Sequence, residues 1–253
     1  METLSSLKNP RVQLWRSLKD RKARKETGLF LVEGRKMVTE ALASAFPVET
    51  ILCDEAQAGQ YAALLERSEA VLLPAHVLAA VCDTKTPQGI AAVVRMSDVS
   101  RPGKRLVALD GVQDPGNVGT ILRTADCAGM EGLLLSEQCA DVFSPKVLRA
   151  TMGSIFRMPV EITGDLPGRL RGLREDGYSV LSSQLDGTPF YCREGVGDRY
   201  VLVIGNESSG VSPQVQQEAT HRLRLPMRGG AESLNAAVAA GIMMYELTRE
   251  LAE

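Results

Sequence analysis

The stretch VLVIGNESSGVS, residues 201–212, takes a run of branched aliphatics to a glycine and continues with Asn206, Glu207, Ser208 and Ser209. A buried strand that runs out into small polar residues and one carboxylate can offer backbone amides and an acid to a ligand. A tight turn with Glu207 near a helix start, favourable by roughly 0.3–1 kcal/mol through the helix dipole, is the other reading. Two further stretches are built alike. LDGVQDPGNVGTILRTADCAG, 109–129, puts glycines and Asp114-Pro115 in a loop, where Asn117 can cap a helix that carries Arg123. LRLPMRGGAESLNAAVAAGIMMYEL, 223–247, reads as a short strand, a glycine loop and a long helix opened by Ser233 as N-cap. Asn235 falls in the first turn of that helix, where it adds nothing obvious to helix stability. Ala236, Ala237, Ala239, Ala240 and Gly241 give the helix a face that another backbone, helix or ligand can approach closely. The glycines at 111, 116 and 119 do not fit GxGxxG and no GK[ST] follows, so neither a dinucleotide turn nor a P-loop is present.

Each of these stretches begins at a strand end, and the pattern around them says what holds them. From Arg105 onward LVALD, GLLLS, YSVLSS and RYVLVIG alternate with segments of helical spacing, which predicts parallel crossovers and a sheet covered on both faces. In such a sheet the working loops follow the C-terminal strand ends. Residues 1–96 read as a small αβ unit. Its elements are a basic helix near 9–24, a strand over 29–33, a helix from Arg35 to about Ala45, the strand VETILC, a helix over 55–67 and a last strand over 89–94. SDVSRPGK, 97–104, has the Pro-Gly step and polarity of a linker. The expected division is therefore 1–96, linker 97–104, and 105–253.

The 253 residues are 44% hydrophobic and 24% charged, and no stretch nears the ~20 uninterrupted apolar residues of a membrane span. METLSSLKNPR has neither the apolar core nor the cleavage site of a secretion signal, so a cytoplasmic protein without membrane association is expected. The cysteines at 53, 82, 127, 139 and 192 form no CxxC pair. With only His76 and His221 available, reduced packed thiols and no metal site are expected. The net charge of −2 conceals an asymmetry: residues 1–36 hold ten Lys/Arg against four acids, +6, which leaves −8 on the other 217 residues. A basic arm on an acidic body suits a phosphate-rich partner, and charge alone weighs that evenly against a solvated helix face. Arg21, Lys22, Arg24 and Lys25 are its densest cluster, with Arg35 beyond them.

Taken together, NVGTILRTA (Asn117, Gly119, Arg123, Ala125), the strand followed by GNESSG, and PMRGGAESLNAAVA (Pro226, Met227, Gly229, Ser233, Leu234, Asn235, Val238, Ala239) resemble the three motifs of the SpoU/TrmH family of RNA 2′-O-ribose methyltransferases. They stand in the family's order at suitable intervals. The resemblance covers 105–253, while residues 1–96, with FLVEGRKMVTEAL, are more loosely similar to the substrate-binding domain that precedes many such enzymes. It implies an α/β fold, a parallel sheet with a C-terminal trefoil knot (SPOUT-like), preceded by a small αβ RNA-binding domain. No pattern reading alone proposes a knot. It also implies S-adenosylmethionine bound in the knot, a homodimer, and methyl transfer to a ribose 2′-hydroxyl.

By position, Ile204, Gly205, Leu225, Met227 and Leu234 are the implied cofactor contacts. Arg123 takes the leading catalytic role, with Asn117, Glu207, Ser233 and Asn235 orienting Arg123, the ribose and the cofactor. Guanidinium groups hold their proton far above neutral pH, so action as a base would need an unusual environment; holding phosphate and stabilising the forming alkoxide is the alternative. Arg21, Lys22, Arg24, Lys25 and Arg35 are the expected RNA contacts. Structured ribosomal RNA is favoured over transfer RNA, because a separate domain can read shape and phosphate away from the methylated ribose. The rival readings are the same reaction on transfer RNA and a non-catalytic RNA-binding protein that retains the knot; a nicotinamide oxidoreductase lacks its glycine fingerprint.

Overall fold

The computed structural model describes residues 1–97 and 103–252, so most of the expected linker 97–104 lies outside the described residues. Two compact units form: Met1–Ser97 with Asp141–Arg157, and the described residues of Asp98–Ala140 with Met158–Glu253.

The first unit is built on β1 (Glu2–Thr3), β2 (Leu29–Glu33), β3 (Val48–Asp54), β4 (Ala70–Leu73) and β5 (Ile90–Arg95), in the order β1-β4-β3-β5-β2. β1, β4 and β3 run parallel, and β5 is antiparallel to both of its neighbours. Val12, Trp15, Leu31, Leu52, Val71 and Leu78 meet in its core. The segment expected as one helix over 55–67 is a 3-10 turn, Glu55–Tyr61, followed by one α-turn, Ala62–Leu65. The basic stretch expected as one helix is two, Pro10–Ser17 and Arg21–Thr27. The break has a physical cause. Leu18 drops into the core at 1% exposure, and Arg24 Nη1 donates to the carbonyls of Leu18 and Lys19 at 2.6 and 2.7 Å. Arg24 Nη2 takes Asp141 at 2.6 Å, and the residue is 3% exposed. A guanidinium so enclosed cannot reach a phosphate, which corrects the expectation of Arg24 as an RNA contact. Arg21, Lys22, Lys25 and Arg35 are exposed.

Asp141 belongs to a segment the sequence gave no reason to place here. Residues 141–157, including the helix Pro145–Thr151, stack Phe143 and Phe156 against Phe30 at centroid distances of 4.8 and 6.3 Å. They also pair Arg149 with Asp83 at 2.7 Å and Arg157 with Glu40 at 2.5 Å. The first unit is thus discontinuous in sequence, where a single division after residue 96 was expected.

The second unit is one six-stranded parallel sheet: β6 (Arg105–Asp110), β7 (Gly132–Ser136), β8 (Val160–Thr163), β9 (Ser179–Pro189), β10 (Tyr200–Gly205) and β11 (His221–Arg224). The order is β11-β9-β10-β6-β7-β8. β6, β7 and β10 are aliphatic through their middles, as strands buried on both faces must be, and Leu106, Leu134, Val180, Val201 and Val203 pack in the sheet's core with Leu170 and Leu173 of the helix Leu166–Glu175. The sequence progression changes direction between β6 and β10, which leaves a crevice at their C-terminal ends. Their register puts Ile204 beside Leu109 and Gly205 beside Asp110, so two of the expected working loops start side by side.

Cys53, Cys82 and Cys139 are buried and Cys127 and Cys192 exposed, all as free thiols; burial pushes Cys82 up to about 12. Among the described residues no helix is long and apolar enough to cross a membrane, and no group of three or more His, Cys, Asp and Glu is placed to hold a metal ion.

Candidate active site

The loop after β6 turns at Gly111, whose φ of +68° is open to glycine at little cost, and ends at Asp114. Asp114 caps the helix Pro115–Cys127 by accepting from the Asn117 amide at 2.9 Å. Asn117 therefore lies inside the first turn, where the sequence had suggested it as the cap. Its side chain is left free to face outward from the helix start.

The loop after β10 is closed by paired backbone hydrogen bonds between Asn206 and Gly210 at 3.0 and 2.9 Å. Asn206 organises it from within, accepting from the amides of Ser208 and Ser209 at 2.9 and 3.1 Å. Its Nδ2 donates to the Gly111 carbonyl at 2.7 Å, which ties this loop to the one beside it. Gly205 is required where it stands: a Cβ would lie 2.2 Å from the backbone of Gly210 and Val211.

Glu207 is projected from this closed turn onto the neighbouring loop. Its carboxylate accepts from the amides of Gln113 and Asp114 at 3.3 and 3.2 Å and from Asn117 Nδ2 at 2.9 Å. Partial burial pushes the carboxyl up, but the bonds from Asn117 and from backbone amides, its own included, outweigh that and hold it below its ordinary value. Asn117 Oδ1 in turn accepts from Asn235 Nδ2 at 3.0 Å. Asn235 Oδ1 accepts from the Ala237 and Val238 amides at 2.9 and 3.3 Å, and its carbonyl accepts from Ala239. Asn235 is thus the N-cap of the helix Ala236–Leu247, the role the sequence had given to Ser233; Ser233 is an exposed loop residue on the wall of the cavity described next. The expectation that Asn235 adds nothing to its helix is likewise overturned.

The three stretches are joined in one line, Asn235 to Asn117 to Glu207, beside a cavity of about 700 Å³. Ile204, Gly205, Leu225, Met227 and Leu234 all line it. The sequence gave no sign of Asp186 and Glu232, which line it too. Asp186 arrives because β9 runs on to Pro189 and bulges: its pairing with β11 jumps from Ser182 to Thr188 while β11 advances one residue. Gly187, where a Cβ would meet the Arg222 carbonyl at 2.5 Å, is the trace of that bulge in the sequence. Asp186, Glu207 and Glu232 are joined on the cavity wall by no Lys, Arg or His, which fits a ligand that carries positive charge among apolar groups. A sulfonium compound with an ammonium group meets that description.

Arg123 does not join the group. Six residues beyond Asn117 on the same helix, it is turned about 120° away at ~100° per residue. It is exposed, lines no part of the cavity, and makes no hydrogen bond or ion pair among the described residues.

Comparison with known proteins places the same two segments in known families. The model of the SpoU rRNA Methylase family matches residues 104–245, and that of the MRM3-like substrate binding domain matches 9–92. The chain is 37% identical to the Bacillus subtilis 23S rRNA (guanosine(2553)-2′-O)-methyltransferase RlmP, across 98% of this chain and 99% of that one. It is 32% identical to the 23S rRNA (uridine(2479)-2′-O)-methyltransferase of Streptomyces viridochromogenes, across 96% and 91%. The AdoMet-bound rRNA methyltransferase from Sinorhizobium meliloti superposes with a TM-score of 0.89 at 34% identity, covering 100% of this chain and 99% of that one.

Proposed function

The chain belongs to the SpoU rRNA methylase family, and on that footing we propose that it transfers a methyl group from S-adenosylmethionine to a ribose 2′-hydroxyl of ribosomal RNA. The observation that carries this reading is the line from Asn235 through Asn117 to Glu207 on the rim of a cavity that suits a cationic cofactor. Bound there, the cofactor supplies an electrophilic methyl on a sulfonium.

The chain's own residues then have to orient a weak nucleophile and manage its proton. Glu207 is a poor base. Its oxygens already accept three hydrogen bonds, and its proton affinity is lowered. Its role is to fix the two loops and the Asn117 amide in one geometry, with Ser233 on the opposite loop to bound the ribose. Arg123 carries the planar fork that holds phosphate and steadies the forming alkoxide.

Arg123 is outside its own cavity, and the site needs a second copy to use it. The helix Ala236–Leu247 lies against the helix that carries Arg123, with Gly241 opposite Thr124. It leaves Val238, Ile242 and Tyr245 exposed at 50, 38 and 55%, spaced i, i+4, i+7. Such a stripe is the mark of a partner helix. We assign the homodimer to that face, with each Arg123 serving the partner's cavity. We also assign the trefoil knot to the second unit, a reading supported by its family and by the return of β11, the last strand, to the far side of β9. The first unit, with Arg21, Lys22, Lys25 and Arg35 exposed, is assigned to RNA binding.

The test is labelled methyl transfer to ribosomal RNA, with ribose methylation mapped by mass spectrometry in cells with and without the gene. One missing 2′-O-methyl in ribosomal RNA is expected. An unchanged ribosomal map with a lost transfer-RNA methylation would move the substrate, and no transfer to any RNA would refute the reading.

A further inference from the structure

The first unit holds a cavity of about 330 Å³ that methyl transfer does not use. Three segments wall it: the start of the helix Arg35–Ala43 with Lys36 and Met37, the loop before β5 with Thr86 and Gln88, and the end of the helix Pro145–Thr151 with Arg149 and Met152. Its volume is at the lower end of the ~300–1,000 Å³ over which pockets hold small ligands.

Two kinds of surface meet in it. Met37 and Met152 contribute soft thioethers, which pack well on aromatic rings, while Thr86 and Gln88 contribute donors and acceptors. The charged residues of the lining are two cations, Lys36 and Arg149, and one carboxylate, Glu33. Lys36 and its neighbour Arg35 are exposed, and their side chains make no hydrogen bond or ion pair among the described residues. The nearby carboxylates are already engaged: Asp83 by Arg149 at 2.7 Å, and Glu33 by the amides of Asp83 and Thr84 at 2.7 and 3.1 Å.

Met152 is the telling residue. It closes its helix in the left-handed conformation, φ +52°, as the one non-glycine residue with positive φ among the described residues. Glycine is the usual occupant of such a position. Here a long apolar side chain stands there instead, 41% exposed at the cavity mouth.

We infer that this cavity receives one unpaired nucleotide of the RNA. Its base lies against Met37 and Met152, its edge is read by Thr86 and Gln88, and its phosphates meet Lys36 and the second Nη of Arg149. Unstacked bases in loops and bulges are what proteins read in structured RNA, and cations at the rim supply the phosphate term. The inference rests on RNA as the substrate, but it concerns binding by the first unit and is tested without methyl transfer.

The probes are four RNA hairpins that carry A, C, G or U as a single bulged nucleotide, and the same hairpin fully paired. With the full-length protein, at least one bulged hairpin should bind about tenfold tighter than the paired one, the scale of one stacked base. Met152→Gly keeps the left-handed turn, so it should fold, and it should bring that hairpin to the paired level. Lys36→Gln should weaken the bulged hairpin more than the paired one. Both variants should keep S-adenosylmethionine affinity by calorimetry. Four bulged hairpins within twofold of the paired one would overturn the inference, as would Met152→Gly leaving the preference intact or either variant weakening both classes equally. Failure of methyl transfer with the bulge preference intact would refute the function proposed above and leave this pocket standing.

Discussion

Asn235 donates to Asn117 across 3.0 Å and 118 residues of sequence, and it does so with the amide whose oxygen caps its own helix. One side chain thus starts a helix and holds the Asn117 side chain. The two roles separate by substitution. Asn235→Asp keeps a capping oxygen but loses the donor, and should leave the melting temperature near wild type while turnover falls. Asn235→Ala should lose about 0.5–2 kcal/mol of stability as well. Thermal unfolding and single-turnover methyl transfer distinguish them; full activity in Asn235→Asp would remove the bridge from the mechanism.

Asn117→Asp replaces the donor 2.9 Å from Glu207 with a like charge. Turnover should fall about 10²-fold, the usual consequence of a misplaced catalytic geometry. Circular dichroism should show the fold intact, and near-normal turnover would contradict the role given to Asn117.

Glu207 has a carboxyl held below its ordinary value, so its bonds stabilise the fold fully above the unfolded value of about 4.3 and stop doing so as pH falls through the lowered folded one. The gap in melting temperature between wild type and Glu207→Gln should therefore be constant from pH 8 to about 5 and close only below that. Activity should show no acid limb from Glu207 in the same range. A gap that closes near pH 6 would mean the carboxyl is raised.

Arg123→Ala should abolish methyl transfer with stability within about 0.5 kcal/mol, since the side chain is exposed and unpaired. Co-expression with Asn117→Asp, itself expected about 10²-fold down, tests where it acts. Half the dimers are then mixed, and each holds one site with both groups intact if Arg123 serves the partner's cavity, so about a quarter of the activity should return. None returns if Arg123 serves its own.

Ile242→Arg puts a charge in the exposed stripe of the last long helix. Light scattering should then report the 27.3 kDa monomer, with activity lost and S-adenosylmethionine affinity reduced by no more than a few-fold. A dimer that survives the change would place the interface elsewhere.

β2, β3, β6, β7 and β10 were legible because each carries an aliphatic run, and burial on both faces demands that. β4 and β8, four residues each, carry too little pattern to separate from a helix edge. The three loops were legible as strand ends, but not the division of labour within them. Ser233 and Asn235 are both good caps, and only the backbone path decides that Asn235 accepts from Ala237. Arg24 is indistinguishable in sequence from Arg21 or Lys25; its burial depends on Asp141, 117 residues away. Asp186 depends on a bulge, and the helical spacing that places Arg123 apart from Asn117 could be read in advance, though not which cavity it faces.

The return of residues 141–157 to the first unit bears on how the protein is made. A ribosome adds about 5–20 residues per second, so a domain complete at Arg95 would have roughly 0.5–2 s to settle before the next sheet began at Arg105. This one cannot settle. Phe30 waits for Phe143 and Phe156, and Arg24 for Asp141, by which time β6 and β7 have already been synthesised. The nascent chain must therefore hold an unfinished first unit while it starts a second, and Arg24 enters the fold as an unpaired cation until its carboxylate arrives.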